Sequence, residues 1–236
     1  MLRSLVIDLI YGASAWRLPK LNGAFAKWLE LSSLQRFLRD EHIDTVLDVG
    51  ANVGQFAAKL RRLGFTGRII SFEPDPRAFQ QLVARHGKDP KWQGLPFALG
   101  DATGSIDFHL THNSVLSSIL NPVHAGNIAE SVSVKVSRLD DVFDELLGPD
   151  ANGRILLKTD TQGYDLAVLR GAAACLPKVH GILCEISVVP IYEASPSVEE
   201  SLAAYRAAGF ALMDLTLINR TPDGRVLEYD GLFRRV

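Results

Sequence analysis

The stretch IDTVLDVGANVGQFAAKLRRLG (residues 43–64) runs a short β-rich segment through a turn containing Gly50 and Gly54 straight into an amphipathic helical pattern. The β-branched and apolar residues of IDTVLDV suit a strand, and a helix that follows it without a linker is how a parallel strand begins its crossover. The pattern then repeats, with GRIISFE (67–73) reading as a strand and PRAFQQLVARHG (76–87) as a helix. Strands and helices in strict alternation leave few architectures open, and the chain is expected to be α/β, doubly wound around a mostly parallel sheet.

A third strand is expected near Leu95–Leu99, followed by an extra pair over Ser105–Leu110 and Ser131–Val136. The alternation resumes with a strand at RILLKTD (154–160), a helix at YDLAVLRGAAACL (164–176), a strand at GILCEIS (181–187) and a helix at SVEESLAAYRAAG (197–209). Two last strands, FALMDLTLI (210–218) and RVLEYDGLFRRV (225–236), flank Pro222-Asp223-Gly224, so an antiparallel hairpin is the expected ending. Thr111 to Glu130 shows no periodicity and reads as a long functional loop.

With 236 residues, 47% of them hydrophobic, the chain has enough material for one large core. The expected division is an N-terminal helical extension over 1–40 and a catalytic domain over 41–236. From Leu21 to Asp40, Phe25, Trp28, Leu29, Leu31, Leu34, Phe37 and Leu38 recur at mostly helical spacing. Such a stripe caps a core; a lid over substrate, a peripheral anchor at a lipid surface and the seam of a homodimer are the alternatives. A net charge of −2 gives no cationic track for a phosphate backbone, which sets nucleic acid aside as a partner. Two cysteines and no membrane-length apolar segment or signal-peptide layout suggest a cytoplasmic protein.

The first strand delivers Asp48, Gly50, Asn52 and Gly54 to the place where an open α/β sheet binds ligands. The glycines allow a tight turn, the amides at the helix start favour an anionic group, and Asp48 is placed to meet a cationic amino group. At the end of the second strand, Glu73 is placed to accept hydrogen bonds from both hydroxyls of a ribose, and Asp101 after the third to accept from an adenine amino group. The turn has the spacing G-x-x-x-G and lacks the G-x-G-x-x-G triplet of dinucleotide sites. A single nucleoside with a zwitterionic arm fits it better than a pyrophosphate does, and S-adenosylmethionine is such a cofactor.

TVLDVGANVGQFAAKLRRLGFTGRIISFEP, FALGDATGSI, SVLSSIL, VSRLDDVF, LLKTDTQGYDLAVLRGA, ILCEIS and the closing LEYDGLFRRV together resemble the FkbM family of methyltransferases, from about residue 43 to the C-terminus. The resemblance implies a class I methyltransferase fold, S-adenosylmethionine as methyl donor, and O-methylation of sugars in glycolipids, polysaccharides or natural products. It carries the donor site onto Asp48, Gly50, Asn52, Gly54 and Glu73, with Asp101 beside them. Ser117 and Ser118 are its substrate-side candidates, although Val115 and Leu116 interrupt the serine run expected there.

Methyl transfer to an alcohol needs the reactants held in line and a group to take the hydroxyl proton. The fourth strand brings Lys158, Asp160 and Gln162 to its C-terminal edge and the fifth brings Glu185. Asp160 is the expected base or acceptor-orienting group, Glu185 its partner and Lys158 its cationic neighbour, with Gln162 and Tyr164 gripping sugar hydroxyls. The alternatives are structural, with Asp160 capping the next helix and Lys158 paired to Glu185. The two acids also offer a seat for a divalent cation, and His109, His112 and His124 add ligands or another base, yet their spacing matches no compact zinc motif and no metal ligand is assigned. A nucleotide-dependent oxidoreductase or epimerase is the rival enzyme, though it lacks a Tyr-x-x-x-Lys pair here; a non-catalytic nucleoside-binding scaffold is the rival outside enzymes.

Overall fold

The computed structural model describes residues 31–111, 117–120, 128–148, 153–190 and 192–236. A helix over residues 31–40 (α1) leads into β1 (Thr45–Val49), α2 (Gln55–Arg62), β2 (Arg68–Phe72), α3 (Pro76–His86), β3 (Trp92–Leu95), β4 (Ala98–Leu99), β5 (Gly104–Thr111) and β6 (Ile128–Ser137). Then come α4 (Leu139–Leu147), β7 (Ile155–Thr159), α5 (Asp165–Gly171), β8 (Val179–Ser187), α6 (Val198–Ala207), β9 (Phe210–Arg220) and β10 (Val226–Arg235).

Seven strands form one sheet in the order β3-β2-β1-β7-β8-β10-β9. The five strands from β3 to β8 run parallel, and β10 lies antiparallel between β8 and β9. This is the doubly wound class I methyltransferase architecture with an antiparallel C-terminal hairpin. The order runs outward in opposite directions from β1 and β7, so the topological switch, where crossovers leave a crevice, falls between those two strands.

Alternation along the strands sorts their side chains onto two faces. Leu47, Val49, Ile70, Phe72 and Leu157 pack with Leu139 and Phe143 of α4, Val168 and Leu169 of α5, and Tyr205 of α6. Val46, Ile69 and Leu156 face the other way, against Phe56, Ala57 and Leu60 of α2 and against Leu34, Phe37 and Leu38 of α1. Leu34, Phe37 and Leu38 of the N-terminal stripe are therefore buried on the sheet; Phe25, Trp28 and Leu29 lie outside the described residues. Helix starts are capped as the sequence allows: Asp75 accepts the Arg77 amide ahead of Pro76, and Ser197 and Glu200 form a reciprocal capping box.

Two expectations need correction, and one helix was not expected. The third strand of the main sheet is Trp92–Leu95, earlier than Leu95–Leu99, because Pro96 has no amide proton for the ladder; Ala98–Leu99 instead joins β5 and β6 in a separate sheet of order β4-β6-β5. The helix expected over 164–176 ends at Gly171, where a Cβ would run into the Gly100 carbonyl oxygen, and a short 3-10 turn follows at Leu176–Lys178. LDDVFDELL, assigned no structure from the sequence, forms α4 and buries Leu139 and Phe143. Among the described residues no helix is long and apolar enough to cross a membrane.

Candidate functional site

A cavity of about 390 Å³ opens at the C-terminal edges of β1, β2, β7 and β8, over the switch point. Its back is the turn after β1. The Gly50 and Ala51 amides donate to the Phe72 carbonyl at 3.1 and 3.0 Å, and the Asp160 amide donates to the Val49 carbonyl at 3.1 Å. Gly50 has φ +75, and a Cβ there would be driven into the Asp160 carbonyl oxygen. Gly54, at φ +85, has no room for a Cβ either, since the His86 ring of α3 would lie 2.6 Å away. Both glycines are thus demanded by the protein's own packing, and of the two only Gly50 lines the cavity.

At one end stands Glu73, almost fully buried. Its Oε2 accepts the Asn52 amide at 2.6 Å and its Oε1 accepts the Asp75 amide at 2.8 Å. Each oxygen keeps a second lone pair, so both remain open to a diol. Burial pushes the carboxyl up to about 7, against the pull of those two amides. Asn52 lines the same end with φ 48, a left-handed conformation that turns its amide toward Glu73. The first turn of α2 follows directly, and its leading amides have no intrahelical acceptor. These features fit the ribose and carboxylate of S-adenosylmethionine.

Asp48 is placed differently from the expectation. It is fully buried beneath the turn, its Oδ1 lies 3.0 Å from Lys158 Nζ, and its Oδ2 accepts from Ser71 at 3.2 Å. The cation it meets belongs to the protein. Lys158 also donates to the Gly50 carbonyl at 3.0 Å and reaches Asp160 Oδ2 at 3.5 Å. Burial alone would depress its ammonium, but Asp48 and Asp160 hold it well above its usual range. Lys158 therefore ties β7 to β1 under the cavity floor, and its carboxylate partners are Asp48 and Asp160, not the Glu185 of the structural alternative.

At the other end Asp160 and Glu185 converge on one amide: Gln162 Nε2 donates to Asp160 Oδ1 at 3.2 Å and to Glu185 Oε2 at 3.0 Å. The Asp160 side chain is 44% exposed and opens into the cavity. Glu185 is mostly buried, and burial followed by the fields of Asp160 and Glu228 pushes its carboxyl up to about 9. The antiparallel register sets Asp230 opposite Glu185 and Glu228 opposite Ser187, bringing two further acids to this wall. Asn219 of β9 donates to Glu228 at 2.6 Å. Glu228, Asp230 and Asn219 received no role from the sequence; the LEYDG motif was visible, but nothing local showed that β10 would pair with β8.

The other candidates divide between the cavity and the surface around it. Asp101 forms an ion pair with Arg170 at 2.8 Å and accepts from the Tyr164 hydroxyl at 3.4 Å, which turns both Asp101 and Tyr164 toward the surface beside α5. Ser117 lines the cavity, whereas Ser118 is buried and donates to the Gln162 carbonyl at 3.0 Å. Gln162 spends its side-chain amide on the two acids, where it was expected to grip sugar hydroxyls. His109 bonds Ser131 at 2.8 Å in the second sheet, and His112 and His124 lie outside the described residues. Among the described residues no three His, Cys, Asp or Glu side chains gather as a metal site, so the divalent-cation alternative has no ligand set to support it.

The chain is similar to the hexuronic acid methyltransferase AglP of Haloferax volcanii, with 26% identity over 173 residues, 72% of this chain and 65% of that protein. It is also similar to the 2-O-methyltransferase NoeI of Sinorhizobium fredii, 28% identical over 163 residues, 63% of this chain and 65% of that one. The match thus spans slightly less than two thirds of either relative's length. Among solved structures, magnesium protoporphyrin IX methyltransferase of Synechocystis PCC 6803 with bound SAM is 8% identical, with a TM-score of 0.49 over 96% of this chain and 88% of that one. Residues 48–212, which hold the glycine turn, Glu73, Asp160, Gln162 and Glu185, match the family model described as the methyltransferase FkbM domain, and the chain belongs to that family.

Proposed function

We propose that the protein is an S-adenosylmethionine-dependent O-methyltransferase acting on a hydroxyl of a sugar, free or within a glycolipid or polysaccharide precursor. One observation carries this: a single cavity at the switch point has a diol-accepting carboxylate, Glu73, at one end and the Asp160–Gln162–Glu185 cluster at the other. Family membership supports the donor, and the names of two relatives, a hexuronic acid methyltransferase and a 2-O-methyltransferase, support a sugar acceptor. A cytoplasmic setting belongs to the same proposal; Cys175 and Cys184 are free and buried.

The donor supplies an electrophilic methyl group on sulfur. Glu73 and the amides after β1 hold its ribose and amino-acid ends. Asp160, within reach of the acceptor space, takes the hydroxyl proton as the oxygen attacks. Glu185, protonated at neutral pH, offers a hydrogen bond that orients the acceptor, so two carboxyl groups serve opposite roles because their surroundings differ. Lys158 steadies Asp160 from below.

Calorimetry with S-adenosylhomocysteine and with a nicotinamide dinucleotide, followed by methyl transfer from labelled donor across a glycan panel, tests the proposal. Uptake of S-adenosylhomocysteine and labelling of a glycan are expected. Preference for the dinucleotide, or donor binding without transfer to any glycan, would overturn it.

A further inference from the structure

Tyr192, in the turn after β8, is absent from the motifs that carry the family resemblance and does not line the cavity. It is 3% exposed, and its hydroxyl donates to Gln162 Oε1 at 2.9 Å. The direction of that bond is settled chemically. Burial and the carboxyl groups of Glu185, Glu228 and Asp160 push the phenol above its usual range, so it keeps its proton and must find an acceptor. Gln162 Oε1 faces it as an acceptor, which leaves the two N–H bonds of Gln162 for Asp160 and Glu185. The reversed amide would set its oxygen against the Asp160 carboxylate, two acceptors face to face.

The backbone is prepared for the same purpose. Gln162 has φ +54, uncommon for a residue with a side chain, and its carbonyl is held by Ser118. Gly163 follows at φ +89, a left-handed conformation that favours glycine, and packs against Ser195 of the Tyr192–Ser195 turn.

We infer that Tyr192 is a positioning residue: its hydroxyl fixes which way the Gln162 amide faces and thereby holds Asp160 and Glu185 in their relative geometry. This rests on the acceptor end proposed above, but the orientation itself is measurable without an acceptor.

In the full chain, the side-chain NH2 resonances of Gln162, assigned by their loss in Gln162→Leu, are expected to be dispersed and slow to exchange. Tyr192→Phe keeps the ring and its packing, so the fold is retained, as S-adenosylhomocysteine titration of the variant checks. In that variant the resonances are expected to move to a free-amide position and exchange rapidly. On a glycan that the panel labels, Tyr192→Phe lowers kcat about tenfold with the donor KM unchanged, the usual scale for one lost orienting hydrogen bond. Gln162→Leu lowers it at least as much, and the double variant no further, because the tyrosine acts only through the amide. Unmoved Gln162 resonances in Tyr192→Phe, or losses that multiply in the double variant, would overturn the inference. Failure to take up S-adenosylhomocysteine in the unaltered chain would instead count against the donor assignment, and the resonances would still decide the role of Tyr192.

Discussion

Lys158 Nζ lies 3.0 Å from Asp48 Oδ1 beneath the turn that follows β1, with both side chains almost wholly out of water. Removing the Asp48 charge leaves the buried ammonium with the more distant Asp160, at 3.5 Å, and the Gly50 carbonyl. Asp48→Asn is therefore expected to lower unfolding free energy by about 1.5–3 kcal/mol, the scale of a hydrogen bond to a charged group, in denaturant titrations of the ligand-free protein. Unchanged stability with weakened donor binding would show instead that Asp48 serves the ligand directly.

Donor binding should release protons near neutral pH. The Glu73 carboxyl titrates at about 7 in the free protein, and hydroxyl donors from a ribose favour its charged form. Its pKa must then fall on binding, so affinity rises as pH increases toward 7 and levels off above it. Calorimetry of S-adenosylhomocysteine at slightly acidic pH, in buffers of different ionisation enthalpy, is expected to reveal this release, and Glu73→Gln to abolish it. Identical apparent enthalpies in all buffers for the unaltered protein would rule the linkage out.

Glu185 makes the fold sensitive to alkali. With its pKa raised from 4.5 to about 9, the folded chain keeps a proton that the unfolded chain has lost, so stability falls as pH rises across that window. Melting temperatures recorded from mildly acidic to mildly alkaline pH should decline, and Glu185→Gln should flatten the decline. An equally steep slope in the variant would place its source elsewhere.

Asp160→Asn keeps the shape of the acceptor end and removes the base. Turnover is expected to fall at least ~100-fold, the usual worth of a general base, with S-adenosylhomocysteine affinity intact. Near-normal turnover would take Asp160 out of that role.

The acceptor wall also favours one substrate charge over another. Asp160, Glu228 and Asp230 line it beside the protonated Glu185, while the cations among the described lining residues are Lys59 and Lys158, the latter held by Asp48. A carboxylate on the acceptor would meet repulsion there, so a neutral sugar should exceed the matching uronic acid by roughly tenfold in kcat/KM, about the effect of one unfavourable charge contact near a protein surface. Competition assays with paired neutral and acidic glycans measure this directly, and a preference for the uronic acid would reverse the assignment of the wall.

The sequence by itself determined the alternation of strands and helices, the glycine turn after β1, the acid at the end of β2 and the closing hairpin. All are local: an apolar period of 2 or 3.6, a turn chemistry or a spacing along one crossover is written in consecutive residues. Tertiary structure decided which side chains those elements bring together. Insertion of β10 between β8 and β9 sets Asp230 opposite Glu185 and turns a segment without an expected site role into a wall of the site. The same long-range packing gave Asp48 a lysine 110 positions further along the chain and Asp101 an arginine, and set Tyr192 behind Gln162. Strand order and register follow from the burial of the whole sheet, so no window of neighbouring residues contains them.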